Sequence, residues 1–461
     1  MRIRYGIISA SVACAIAGCA GGPRVAEVSD PPATRYAPEE RIARASYDEP
    51  VLLLTPAEAS PVQPTALTGG PSPLSLADVE SMALANNPTI ARERARADAL
   101  RGEWLQVGLK PNPRVGYSGQ EIGSEGSAGQ QGAFVSQRFI TGGKLQKRRD
   151  VVAYEIRQAN ERLAAQQQRV LTDVRAAFYD ALVAQARVGV ASRLEDSARQ
   201  AAGTVTRLLD AQQATRVAQL QAEVEAESVA VERITAQGEA EAAWRRLAAM
   251  TGDASLAPAP LLGEASVPPA MASWETALAR LLAESPEMSA AMAGVDRARA
   301  EVRRACAEGK PDLTMQVGLQ RDDASHDTLT SVQISAPLTL YDRNQGGVRR
   351  AQSELTAARR EADRVELDLA ARLATVYRSL QNSRTSAERH AEELMPRAEE
   401  TLRLTEKGYT AGESPYLDLL TAQRTFYRTN LNYLAAVRDA WRAYNQIEGL
   451  LLTGGLDSAR E

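Results

Sequence analysis

Leu313-Thr314-Met315-Gln316-Val317-Gly318-Leu319-Gln320, followed after a polar turn by Val332-Gln333-Ile334-Ser335-Ala336-Pro337-Leu338, decides the fold. Apolar and polar residues alternate one by one, the two-residue period of a strand with one oily and one wet face. Asp322, Asp323 and Asp327, with His326 among them, mark the turn. The strands expected here run over about 312–321 and 328–339. Those lengths are close to the ~9–11 residues that cross a bilayer at the usual tilt.

Helices flank this hairpin. Trp274 to Glu308 precedes it, broken early at Ser285-Pro286, and no Gly or Pro occurs from Val348 to Met395 or from Tyr416 to Glu448. Apolar and small residues recur at sevens (Val348, Leu355, Ala362, Leu369, Val376; Leu420, Tyr427, Leu434, Trp441), the period of left-handed supercoiled packing. A helix of about 45 residues extends roughly 70 Å.

The same order occurs earlier in the chain. Asn87-Pro88 answers Ser285-Pro286, and Lys110-Pro111-Asn112 answers Lys310-Pro311-Asp312. Ala177-Phe178-Tyr179 answers Thr375-Val376-Tyr377, and Trp244-Arg245 answers Trp441-Arg442, all at offsets of about 197–200 residues. The expected organisation is a first repeat over 74–252, with strands near 113–122 and 132–140 and helices near 144–203 and 205–250. A linker over 253–272 leads to a second repeat over 273–452, with helices near 346–407 and 416–450, then a tail over 453–461.

One chain thus offers four amphipathic strands. Alone in lipid they would leave two sheet edges with unpaired backbone groups, at several kcal/mol per group. A barrel closes only with about 8 or more strands, so several chains must contribute, and three would supply about twelve. A small soluble sheet packed on the helices is the alternative.

Before the repeats, residues 1–18 read as a secretory signal: Arg2 and Arg4, then an uncharged apolar run ending Ile16-Ala17-Gly18-Cys19. That ending resembles a bacterial lipobox, which implies lipidation of Cys19, with Ala20 at the next position favouring the outer membrane. An ordinary signal with a coincidental cysteine is the alternative. Residues 19–73 hold about ten of the chain's 22 prolines and read as an extended tether. Val51-Leu52-Leu53-Leu54 within it reads either as a local dock or as a piece of edge strand. With Cys14 removed in the signal, Cys306 is left as a lone thiol, expected to be a buried bystander.

With 58 acidic and 54 basic residues, the net charge of −4 argues against nucleic-acid binding. Two histidines and three cysteines are too few for a disulfide scaffold, a zinc cluster or haem. Nothing resembles a P-loop, a nucleophile elbow or a metalloprotease helix. The expectation is no enzyme, no cofactor and no metal site.

Together these features resemble the TolC-type outer-membrane efflux proteins, within them the lipoprotein CzcC/CusC-like branch. The resemblance spans about Leu74 to Leu452. It rests on the duplicated order, on Lys110-Pro111-Asn112-Pro113, on Pro337-Leu338-Thr339-Leu340-Tyr341-Asp342-Arg343-Asn344-Gln345-Gly346, and on Gly408-Tyr409-Thr410-Ala411-Gly412-Glu413-Ser414-Pro415-Tyr416-Leu417-Asp418. It implies a mainly α fold with a small β part, one third of a homotrimeric twelve-stranded outer-membrane barrel continued by an α-helical barrel in the periplasm. The implied function is a passive exit duct of a tripartite efflux or type I secretion system. Its implied partners are outer-membrane lipid, a periplasmic adaptor and an inner-membrane pump of RND or ABC type. A non-channel lipoprotein serving as a helical spacer or adaptor is the alternative.

The last of those stretches looks like the periplasmic tip between paired long helices. Gly408, Gly412 and Pro415 interrupt the helix, with Ser414 expected to cap the next one and Pro415 at its first position. By resemblance Tyr409 and Asp418 are gate residues around Gly412, and Gly408, Ala411, Glu413 and Ser414 are adaptor contacts. Otherwise Tyr409 is a packing aromatic and Asp418 a first-turn acid favoured by the helix dipole. Thr421 stands where some relatives carry a second aspartate. In the first half, Thr215 aligns with Gly412 and Gln221 with Asp418, leaving that turn undefined between Leu208 and Gln221. Phe139 and Tyr341 read either as an interfacial aromatic girdle or as packing residues.

Overall fold

Ser75 opens the folded body. Its hydroxyl accepts from the Asp78 amide while the Asp78 carboxylate takes the Ser75 amide, a reciprocal cap. A computed structural model describes residues 72–123, 129–212 and 214–457. Cys19, the signal, most of the tether and the Val51–Leu54 run lie outside the described residues.

From that cap run α1 (Leu76–Asn86) and α2 (Pro88–Val107), parted where Asn87 caps the second helix and Pro88 opens it. Strands β1 (Arg114–Gln120) and β2 (Gln130–Phe139) follow, then α3 (Lys144–Asp210) and α4 (Arg216–Thr251). The second half repeats this as α5 (Trp274–Glu284), α6 (Pro286–Glu308), β3 (Leu313–Asp322), β4 (Thr328–Ser335), α7 (Gln345–Arg389), α8 (Met395–Thr410) and α9 (Tyr416–Glu448). The chain is mainly helical with a small sheet, in a duplicated order.

Three boundaries differ from expectation. The helix expected to stop near 203 runs on to Asp210 through Gly203, because Val205 beyond it is fully buried and packing outweighs the glycine. The fourth strand stops at Ser335, two residues before Pro337. Between α7 and α8 lies one π-helical turn, His390–Leu394, just ahead of Pro396, whose ring cannot continue the α-helical bond ladder. Cys306 is exposed rather than buried, because it faces outward between Ala305 and Ala307, which carry the packing face of α6.

Each half has its own core. Val79, Val174, Phe178, Trp244 and Leu247 join α1, α3 and α4, and Leu281, Leu369, Leu373 and Ile447 join α5, α7 and α9 in the equivalent way. A third cluster, Val183 with Leu434 and Val437, ties the halves together. Tyr179 stacks on Trp441 at 3.7 Å across the same seam. The helix α3, about 100 Å long at 1.5 Å per residue, is the common spine and touches α2, α4, α6 and α9.

The four strands form one antiparallel sheet in the order β1-β2-β3-β4. Register places Val115, Val135, Val317 and Val332 in one row across it, and Tyr117, Ala133, Leu319 and Thr330 in the next row on that face. The opposite face carries Arg114, Ser136, Gln316 and Gln333, then Arg138, Thr314 and Ser335. The apolar face has nothing packed on it: Val115 is 77% and Val332 61% exposed. The expected alternative of a sheet folded onto its own helices is therefore not what forms. Phe139 and Tyr341 are also exposed, Tyr341 at 91%. Every residue of β4 is exposed, and both β1 and β4 are open edges.

Candidate functional site

The turn between α8 and α9 is made by backbone geometry. Gly412 takes φ +76, the left-handed region that a side chain would strain. The Glu413 amide then reaches the Gly408 carbonyl at 2.8 Å and the Gly412 amide reaches Tyr409 at 3.1 Å, satisfying the last carbonyls of α8. Gly408 leaves room for Ser414, whose hydroxyl oxygen would lie 2.5 Å from a Cβ added there. Ser414 does not cap α9. Pro415 itself occupies the cap position, φ −72 and ψ 155, and its carbonyl takes the Asp418 amide at 3.1 Å. The serine is instead turned back against Gly408, so its hydroxyl is unavailable to α9.

The opposite tip, expected to be undefined, has the same plan. Gln212 holds the left-handed position (φ 58), its amide meets the Leu209 carbonyl at 2.9 Å, and Thr215 caps α4 through the Ala218 amide at 3.2 Å. Gln212 therefore matches Gly412, Thr215 matches Pro415, and Ala218, not Gln221, matches Asp418. Pairing the halves by the Trp244–Trp441 offset is three residues out at this turn because α4 has 36 residues and α9 has 33.

At the second tip Ala411, Gly412, Glu413 and Asp418 are exposed, whereas Gly408, Tyr409 and Ser414 are half-buried. The Tyr409 and Tyr416 rings lie 5.9 Å apart, tilted by 60°. Burial raises both phenols, and Tyr416, with Glu225 and Tyr409 nearby, is pushed to about 12, so both are neutral near pH 7. The Asp418 carboxylate has no hydrogen-bond or ion-pair partner among the described residues, leaving its charge available to solvent.

Two bonds that sequence reading missed hold this tip to the first helix pair. Arg424 on α9 grips Glu225 on α4 with both guanidinium arms, Nε at 3.1 Å, and Gln423 donates to Ser197 on α3 at 3.0 Å. Glu225 is a buried acid on a helix, visible in the sequence only as one glutamate among many. Its partner is 199 positions away.

The base of the sheet holds a second charged group. Asp312, 7% exposed, takes Lys144 Nζ at 2.8 Å, Arg138 Nη2 at 2.7 Å and the Thr141 amide at 3.1 Å. Burial works against its charge, but the Lys144 ammonium, the Thr141 amide and Arg138 outweigh that and hold the carboxyl at about 2. This cluster joins β2, β3 and α3 where strand becomes helix. Among the described residues no group of three or more His, Cys, Asp or Glu could hold a metal ion, and no helix is long and apolar enough to cross a membrane.

A helical shaft with a tight turn at one end and a two-faced open sheet at the other has known counterparts. The family described as Outer membrane efflux protein matches the chain twice, over residues 79–253 and 277–451. The cobalt-zinc-cadmium resistance protein CzcC of Cupriavidus metallidurans is 27% identical over 391 residues, 85% of this chain and 92% of that one. The alkaline protease secretion protein AprF of Pseudomonas aeruginosa is 26% identical over 313 residues, 64% of each chain. Among solved structures, the outer membrane protein VceC of Vibrio cholerae superposes with a TM-score of 0.67 at 18% identity, covering 82% of this chain and 96% of that one.

Proposed function

Because the chain belongs to the outer membrane efflux protein family, we propose that three copies close one twelve-stranded barrel, with the β1 edge of each pairing the β4 edge of the next. The channel function and the outer-membrane location follow from the family itself. The observation that carries the trimer is the sheet: four strands, an apolar face with no cover and two open edges, which lipid would penalise at several kcal/mol per unpaired group. A second feature supports it. On α4, Val217, Leu220, Val224, Val231 and Ile234 are exposed at steps of three, four, seven and three residues along one side of the helix, an apolar seam suited to a neighbouring helix.

In this reading the tip with Gly412 faces the inner membrane. Tyr409 and Asp418 line its constriction, where three Asp418 carboxylates would draw cations inward. Gly408, Ala411, Glu413 and Ser414 form the rim on which a periplasmic adaptor docks. Cys19 carries the lipid that anchors the tether. One relative is named for resistance to metal ions and another for secretion of a protease, so the duct is read as a passive exit that takes its cargo from the pump. That pump is an RND or ABC protein of the inner membrane.

Planar-bilayer recording on the purified protein tests this. The proposal expects discrete single-channel steps from a species of three chains. A purified monomer giving no steps, soluble without detergent once Cys19 is replaced, would return the chain to the role of a helical spacer.

A further inference from the structure

The polar face of the sheet carries a charge pattern at its base that the duct reading does not use. There a recess of about 570 Å³ is lined by Arg114, Arg138, Lys144, Lys310, Glu308 and Asp312. The two acids are already answered: Asp312 by Arg138 and Lys144, and Glu308 by Arg148 at 2.9 Å with Lys144 at 4.0 Å. Arg114 and Lys310 are exposed and have no acidic partner among the described residues. Arg114 shares its row with Ser136, Gln316 and Gln333, and Arg138 shares the next with Thr314 and Ser335, so their row neighbours are hydrogen-bonding and uncharged. Within the strands the one acid, Asp322, lies at the other end.

We propose that this recess is an anion site on the barrel wall, and that it takes small multivalent oxyanions dissolved in the lumen. The inference rests on the trimeric duct. Three copies would place six unanswered cations in one ring, inside a tube whose low-dielectric wall concentrates their field. At physiological salt the screening length is about 8 Å, so a multivalent anion inside the ring feels several of these charges and one outside feels few. Guanidinium and ammonium groups flanked by serine, threonine and glutamine side chains supply the donors an oxyanion needs. The ring has the opposite sign to the carboxylates at the tip, so the conduit would pass from an acidic inlet to a basic collar.

The test is current block by tripolyphosphate, added to the side of the bilayer facing the barrel mouth. Arg114→Gln with Lys310→Gln removes the two free cations and touches no ion pair. Wild-type conductance should fall with micromolar to millimolar tripolyphosphate, and the half-blocking concentration should rise roughly tenfold in the double variant. Reversal potentials in a KCl gradient should move towards cation selectivity. Arg114→Lys with Lys310→Arg should keep the block, because charge and not shape is required. Channels that conduct normally and show the same block in wild type and double variant would overturn the collar while leaving the duct intact. Protein that forms no channel at all would overturn both.

Discussion

Replacing Asp312 by asparagine removes the one negative charge that Arg138 and Lys144 share where strand meets helix. The carboxyl sits at about 2 against an ordinary 3.8. At about 1.4 kcal/mol per pKa unit this difference is worth roughly 2–3 kcal/mol. The folded value is the depressed one, so the stabilisation is fully present above about pH 4 and disappears as pH falls through about 2. In the variant Lys144, whose side chain is 5% exposed, would be left with only Glu308 at 4.0 Å. With that acid so distant the buried ammonium is weakly answered, which raises the penalty towards ~3–5 kcal/mol. Guanidinium unfolding of the detergent-solubilised protein, followed by tryptophan fluorescence, measures this. Asp312→Asn should lose at least about 2 kcal/mol near neutral pH, and wild type should lose a similar amount between about pH 5 and pH 2. Lys144→Met added to Asp312→Asn should recover part of the loss, since the stranded ammonium is gone. A loss under about 0.5 kcal/mol, with wild-type stability flat down to pH 2, would refute the reasoning.

Further outcomes follow from the tip and the sheet. Arg424→Ala frees α9 from Glu225; with the arginine largely exposed, each tether is worth about 1 kcal/mol, and three acting together would shift the balance between a held and a released tip on the order of 100-fold. Single-channel open probability reads this, and an unchanged value would show that the bond does not restrain the tip. Asp418→Asn should lower the preference for K⁺ over Cl⁻, so an unaltered reversal potential in a salt gradient would count against a carboxylate ring. Val332→Lys on the apolar face should cost ~2–4 kcal/mol of barrel stability, whereas Gln333→Lys one residue away should cost little. Equal effects at the two positions would mean that the sheet is not embedded as described.

The sheet was legible because a two-residue period needs only neighbouring letters. Leu313 to Gln320 announces its two faces without help from the rest of the chain, and the structure adds that Val115, Val135, Val317 and Val332 share one row. The second tip was legible because Gly408 and Gly412 carry its geometry openly. The first was not, because Gln212 enters the left-handed region without glycine's signature, and because counting back from Trp244 crosses a helix three residues longer than its counterpart. Ser414 was misplaced since a cap depends on where the backbone leaves the turn, and Pro415 takes that position. The charged contacts were out of reach for a different reason: Arg424 and Glu225, or Lys144 and Asp312, are brought together by packing between halves of the chain, and no local spacing encodes them. Gly203 and Cys306 were misjudged because local preference was overruled by which face of the helix is packed.

Closure of the barrel by three copies is tested most directly by cysteine pairs placed one on β1 and one on β4, scanned along both strands in a Cys306→Ser background. Joined edges predict bonds between chains at registers two residues apart, building a covalent species of three chains and no larger. Bonds formed only within a single chain, or none at any register in protein that runs as a monomer, would contradict the account.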